Sequence, residues 1–221
     1  IGAEGRPGVN KLSASMQGCH ANYMHKEGDE ACSSCHPARS GGSTRCNRGI
    51  HSVLGFGCVD CHGTMDEHGL ALLKGQIGNP TSARLIKHLQ TTNVAGVDEV
   101  NPRMPWVNEP DCLTCHQDFE QPDAVLNGYN RWTGGISDLY RMRTDNAGIR
   151  CPACHGSPHA VYAAMNPFES RRDVIQPFQY TDMPYPIGAN ENCAVCHMQE
   201  MEFPIHHENM LRMVRNEVTY E

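Results

Sequence analysis

Aromatic side chains are scarce in this sequence: seven Tyr, five Phe and two Trp, 6% of 221 residues. Hydrophobic residues of all kinds reach 39%, thin for a chain that must build a core of this size from its own side chains. No run of eighteen apolar residues occurs, so no helix is expected to span a bilayer. Positive charge is in deficit, with 18 Lys and Arg against 25 Asp and Glu and a formal net charge of −7. That balance argues against a nucleic-acid binder, which would carry a basic face. There is no charged n-region followed by an apolar h-region, and with Ile1 in first place the chain reads as an already cleaved, exported protein without an N-terminal lipid-bearing cysteine.

What is plentiful is cysteine (12), histidine (13), glycine (21) and proline (14). Ten of the cysteines fall in five copies of one pattern: Cys32-Ser-Ser-Cys35-His36, Cys58-Val-Asp-Cys61-His62, Cys112-Leu-Thr-Cys115-His116, Cys151-Pro-Ala-Cys154-His155 and Cys193-Ala-Val-Cys196-His197. C-x-x-C-H is the attachment signature of haem c. Two thiols one helical turn apart match the two vinyl groups of a porphyrin, and the histidine that follows is held beneath the iron as its proximal ligand. Zinc ribbons pair C-x-x-C motifs but have no need of His after every one. A thioredoxin-like motif would occur once, in a βαβ setting. Disulfides would account for the cysteines and leave the histidines unexplained. The reading is five covalent haems c. Their attachment takes place outside the cytoplasm, which places the protein at the cell surface or outside the cell, with the periplasm as the alternative.

Five flat apolar porphyrins can serve as the core that the side chains do not supply. The expected fold is mostly irregular and loop-rich: a multihaem cytochrome c fold wrapped around a haem chain, with a few short α-helices and little or no β-sheet. One pentahaem domain is expected over 1–221. Residues 1–31 read as an extended N-terminal segment. Asn79-Pro80-Thr81 reads as a helix start, with Asn as N-cap, Pro at the first position and Leu85, Ile86 and Leu89 behind it. Residues 117–150 read as loop with at most one short helix, and 160–192 as irregular. A C-terminal helix over 205–218 is expected, because His207, Leu211, Val214 and Val218 share a face. Cys19 and Cys46 stand outside the motifs. They form a disulfide, as export favours, or Met16-Gln-Gly-Cys19-His20 is a degenerate sixth haem site, or both remain free thiols.

Thirteen histidines, five of them in the motifs, leave eight: His20, His25, His51, His68, His88, His159, His206 and His207. Such a surplus points to bis-histidine irons, closed on both faces. His51, His68 and His159 come first as distal ligands because each lies near a motif. One of His206 and His207 follows, then one of His20 and His25, with His88 in reserve. Catalysis at haem needs an open or exchangeable position, so closed irons predict an electron carrier and no enzyme.

From the fourth motif onward, Cys151-Pro-Ala-Cys-His-Gly-Ser-Pro-His159, Tyr162, Gln176-Pro177, Gln179-Tyr180, Ile187-Gly188 and Asn192-Cys-Ala-Val-Cys-His197 resemble the multihaem c-type cytochromes that polymerise into extracellular nanowires. The resemblance is specific over 151–197 and elsewhere rests on the haem motifs. It implies bis-histidine haems in parallel and T-shaped pairs, head-to-tail polymerisation, and one distal His supplied by the next subunit, for which His20, His25 or the His206–His207 pair are within reach. The leading expectation is a filament subunit conducting electrons through five closely stacked haems towards other redox proteins or extracellular acceptors. The alternative is a soluble periplasmic pentahaem shuttle to a terminal reductase. A multihaem reductase would carry an open iron or a Lys in place of a motif His, and no motif here has one.

Overall fold

The computed structural model describes residues 6–24, 28–37, 46–76, 78–122, 124, 126–189, 192–199 and 206–207. The chain divides into two compact units, where the sequence suggested one domain. Unit 1 comprises Ile1–Arg39, Gly57–Asp111 and Asn127–Leu139, and unit 2 comprises Ser40–Phe56, Cys112–Leu126 and Tyr140–Glu221. The first two C-x-x-C-H motifs belong to unit 1 and the other three to unit 2.

Unit 1 holds most of the helix. Its elements are α1 (Leu12–Met24), α2 (Gly28–Ser33), α4 (Val59–His62), α5 (Met65–Lys74) and α6 (Pro80–Ile86), while α3 (Ile50–Val53) belongs to unit 2. The expectation of an extended N-terminal segment is therefore corrected over α1 and α2. The sequence conceals α1 because its buried face is made of small residues, Ala14, Gly18 and Ala21, which carry no apolar period. Smallness is what the packing requires: a Cβ on Gly18 would meet Leu73 Cδ1 at 2.8 Å. The partner, α5, is the best-built helix in the chain. Thr64 caps it, accepting the Glu67 N–H, while the Glu67 carboxylate accepts the Thr64 N–H at 3.0 Å. This reciprocal capping box satisfies two helix-end donors. Leu70 and Leu73 are 0% exposed and Leu72 1%, so each stabilises unit 1 by about 1.5–3 kcal/mol through burial. Helix α6 starts where Asn79-Pro80 predicts, with Asn79 Oδ1 accepting the Thr81 N–H at 2.9 Å. Leu89 is buried in the same cluster, with Leu85 and Ile86 packed against it.

Unit 2 is built mainly of turns and loops. Its regular elements are α3, α7 (Cys151–His155), the two-residue strands β1 (Gly156–Ser157) and β2 (Ala160–Val161), and α8 (Ile175–Thr181). The strands form an antiparallel hairpin with Gly156 opposite Val161, and α8 interrupts the stretch expected to be irregular. Ala160, Tyr162, Ala164 and Val174 form its small apolar cluster. The loop-rich, helix-poor fold class is what the structure shows, with the one β-hairpin as the sheet content among the described residues. The C-terminal helix over 205–218 lies outside the described residues apart from His206 and His207.

An ion pair ties distant parts of unit 2. Arg48 Nε and Nη2 donate to Asp173 Oδ2 at 2.5 Å and Oδ1 at 2.9 Å, and the Arg48 N–H donates to the His159 carbonyl at 2.9 Å. Arg48 beside Asp173 holds the carboxyl below its ordinary value; Asn166 and Arg172 add to this, and partial burial opposes it. A carboxyl depressed in the folded state contributes stability above its unfolded pKa, about 3.9, and loses it as pH falls through the folded value. Asp173→Asn should therefore cost unit 2 about 2 kcal/mol at neutral pH. That deficit should begin to shrink as pH falls below about 4, as read by denaturant unfolding at pH 7 and pH 3. A deficit that persists in acid would rule out the ion pair as its source.

Candidate haem-binding site

Each motif is one tight turn. The His36, His62, His116 and His197 N–H groups donate to the carbonyl of the first cysteine of their own motif, all at 2.9 Å, and the fourth motif, Cys151–His155, is the helix α7 itself. This i to i−4 closure puts both thiols and the imidazole on one face, the arrangement that covalent attachment plus axial ligation needs. Glycine ends two of the turns. Gly63 (φ +77°) and Gly156 (φ +78°) follow His62 and His155, and a Cβ there would meet the rings of Tyr129 at 2.4 Å and Tyr162 at 2.7 Å. Only glycine accepts both that conformation and that approach.

Four of the five motif imidazoles face a histidine from outside the motifs. The ring centres of His62 and His68 are 5.6 Å apart, those of His51 and His116 6.0 Å, those of His155 and His207 6.1 Å, and those of His197 and His206 6.0 Å. A metal–imidazole bond of about 2.0–2.1 Å sets each ring centre roughly 3 Å from the metal, so two rings on opposite sides of one iron lie about 6 Å apart. Ordinary ring packing also spans this range. It gives no reason, however, for every pair to join one motif histidine to one non-motif histidine.

Four of these imidazoles, His51, His68, His155 and His207, sit where the neutral, ligating form is favoured. Burial pushes His68 down to about 3, with the charges of Arg103 and His36 adding to it. Burial likewise pushes His155 down to about 4, with His207 and His116 adding. Burial lowers His51, helped by His116, and burial is the largest influence lowering His207. The sequence reading missed the residues around them. Phe119 stacks on His207 at 4.6 Å. Arg103 Nη1 lies 3.3 Å from His62 Nδ1. Asp145 Oδ2 lies 2.6 Å from His206 Nδ1. Tyr140 donates to the Gly156 carbonyl at 3.0 Å. It sits among Cys112, Cys151 and Cys154, and burial is the main reason its phenol is raised. No short-range signal marks these contacts, because each joins residues from separate parts of the chain.

Neighbouring motifs also touch. In unit 1 a hydrogen bond from the Cys58 thiol is the main influence lowering Cys32. In unit 2 the fourth motif stands close to both others: His116 acts on His155, and Cys196 acts on Cys154.

The remaining candidates are not gathered in this way. His36, His20, His88 and His159 are exposed. His20 lies on α1, its Nδ1 2.7 Å from the Met16 carbonyl. His159 occupies the turn of the β-hairpin. His25 lies outside the described residues. Cys19, exposed on α1, and Cys46 are both free thiols, so the structure does not form the disulfide between them, and Met16–His20 lies within the continuous helix α1.

The donor set suits haem c. Each motif offers two thiols and one imidazole in a single turn, and four offer a second imidazole at bis-histidine distance. Buried polar atoms without a partner sit around them: His68 Nδ1, His207 Nδ1 and, beside Gly63, Tyr129 Oη. Among the described residues no group of three or more His, Cys, Asp or Glu converges as a bare metal centre, as zinc would require. Residues 13–208 match the family model of outer membrane cytochrome MtrC/MtrF-like, domains II/IV. The chain belongs to this MtrC/MtrF-like cytochrome family.

No curated protein and no solved structure gives a match. As an MtrC/MtrF-like cytochrome the chain is a multihaem c-type electron-transfer protein, and none of the helices described in it is long and apolar enough to cross a membrane.

Proposed function

We propose that this cytochrome holds five haems c, one per motif, and passes electrons along them as a conduit at the cell surface. The observation that carries this reading is the set of four ring pairs at 5.6–6.1 Å. The second haem takes His62 and His68 as its ligands, the third His116 and His51, the fourth His155 and His207, and the fifth His197 and His206. The first haem takes His36 and a histidine from the remaining set of His20, His25, His88 and His159, from this chain or the next.

Each haem supplies a one-electron Fe(III)/Fe(II) couple when bound. The chain's residues hold that couple in place: the thioethers of the ten motif cysteines prevent loss, and two imidazoles per iron leave no coordination position for a substrate. Contact between the first and second motifs supports close spacing of their haems. The position of the fourth motif beside the third and the fifth supports a row in that order within unit 2.

The finer reading is a repeating subunit of an extracellular filament. The resemblance over 151–197 supports it, as does the exposure of His36, the one motif histidine with no facing imidazole among the described residues. A heterologous contact that does not close on itself builds a fibre.

Intact mass and the pyridine haemochrome of the secreted protein should give five haems per chain, and the ferric resonance spectrum should be entirely low-spin. Four or fewer haems, or a high-spin iron in the native polymer, would contradict the assignment. Electron micrographs of the same material should show filaments. Single particles at all protein concentrations would leave a soluble carrier as the surviving form.

A further inference from the structure

We infer that Asp145 is a positioning residue that makes the haem of the fifth motif the most reducing of the three in unit 2. The inference rests on the reading of His197 and His206 as that iron's ligands.

His206 is held twice by one turn. Its Nδ1 lies 2.6 Å from Asp145 Oδ2, and its carbonyl accepts the Asn146 N–H at 3.2 Å. The carboxylate is itself held. Its side chain is 9% exposed, and Oδ1 accepts the Ala147 N–H at 2.9 Å and the Ile149 N–H at 2.8 Å. The Asp145 N–H in turn donates to the Ile149 carbonyl at 2.8 Å. Both carboxylate oxygens are thus committed, and the anion stays on the ring.

With Nε2 directed at the iron, Nδ1 carries the proton of the neutral ring and donates it to Asp145. A carboxylate accepting that proton orients the imidazole and raises its basicity towards the metal. The extra electron density and the nearby negative charge favour Fe(III) over Fe(II). The other haems of unit 2 lack this arrangement. His116 Nδ1 lies 3.0 Å from a neutral acceptor, the Glu120 carbonyl, and His207 Nδ1 is buried without a partner. Among the described residues the three sites therefore offer a hydrogen-bonded carboxylate, a neutral dipole and, at His207, no partner on Nδ1 and only the through-space charge of Asp145, and the fifth-motif couple lies lowest.

The test is a potentiometric titration of the fully haem-loaded protein, followed in the visible spectrum, for wild type, Asp145→Asn and Asp145→Glu. Asparagine keeps an oxygen for the Ala147 and Ile149 N–H groups and removes the charge. One of the lowest midpoints should move furthest to more positive potential in the asparagine variant, by about 59 mV for each tenfold loss of preference for the ferric state, with a smaller shift at the fourth haem, whose His207 also feels the Asp145 charge. Glutamate, which restores the charge, should return it most of the way. His206→Ala, read by ferric resonance, separates this inference from the ligand assignment beneath it. If His206→Ala turns one iron high-spin while no midpoint moves in Asp145→Asn, the inference is overturned and the assignment stands. If His206→Ala leaves every iron low-spin, the assignment fails first and the inference with it.

Discussion

Replacing His68 with alanine should leave the iron of the second motif five-coordinate, so that one haem turns high-spin in the ferric state and takes up carbon monoxide when reduced. The ring of His68 faces that of His62 at 5.6 Å, and α5 holds it there. The helix is anchored by Leu70, Leu72 and Leu73, all at most 1% exposed, so the backbone beneath the ligand has little freedom to bring in a substitute. Burial keeps the imidazole neutral far into the acid range, so the ligating form needs no deprotonation at any physiological pH. His68→Met offers a second arm. Methionine in place of histidine should keep six-coordination and raise the potential of that one haem. A fully low-spin spectrum in His68→Ala would show that another residue closes the iron and would remove His68 from the ligand set.

Replacing Glu67 with alanine should cost at least about 3 kcal/mol of unit 1 stability, because several hydrogen bonds to one buried carboxylate are lost at once and each bond to a charged group contributes about 1.5–3 kcal/mol. Glu67 is 0% exposed. Its carboxylate accepts from Thr64 N at 3.0 Å and Thr64 Oγ1 at 3.2 Å, from Thr92 N at 2.8 Å, and from Asn93 N and Asn93 Nδ2, the last at 2.6 Å. One charged group thus caps α5 and fastens the loop that follows α6. Thr64→Ala removes the hydroxyl half of the capping box and should cost only about 1 kcal/mol. Glutamine at 67 should fall between the two, since it keeps one acceptor oxygen but turns an N–H₂ group towards donors. Denaturant unfolding of the haem-loaded protein, followed by far-ultraviolet dichroism, gives the ranking. A Glu67→Ala deficit no larger than that of Thr64→Ala would refute the idea that the carboxylate holds the loop.

Helix-end chemistry was more legible in the sequence than helix faces. Asn79-Pro80 marks the start of α6 through one side-chain acceptor and one missing donor, both local. Thr64-x-x-Glu67 is a comparable mark for α5 that the motif-centred reading passed over. Helix α1 left no trace, because Ala14, Gly18 and Ala21 signal nothing until Leu73 is laid against them. In the candidate site, His51 and His68 were singled out by nearness to a motif. His159 was chosen on the same ground, yet the structure leaves it exposed on a hairpin. Nearness along the chain is a weak guide in a loop-rich protein, where the backbone reverses within a few residues.

The sequence by itself determined where the five C-x-x-C-H motifs lie. Two thiols and an imidazole within one helical turn are a local code, and no distant residue is needed to read it. It also determined that eight histidines lie beyond the motifs and that apolar side chains are few for a chain of this length. Only the tertiary structure decided which histidine meets which motif, because His51 with His116 and His155 with His207 are brought together by packing between distant stretches of unit 2 and follow no periodicity. The same holds for the anion on His206 and the cation beside His62. Asp145 and Arg103 are ordinary charged residues in the sequence, and become neighbours of ligands only through turns whose closure depends on the rest of the unit.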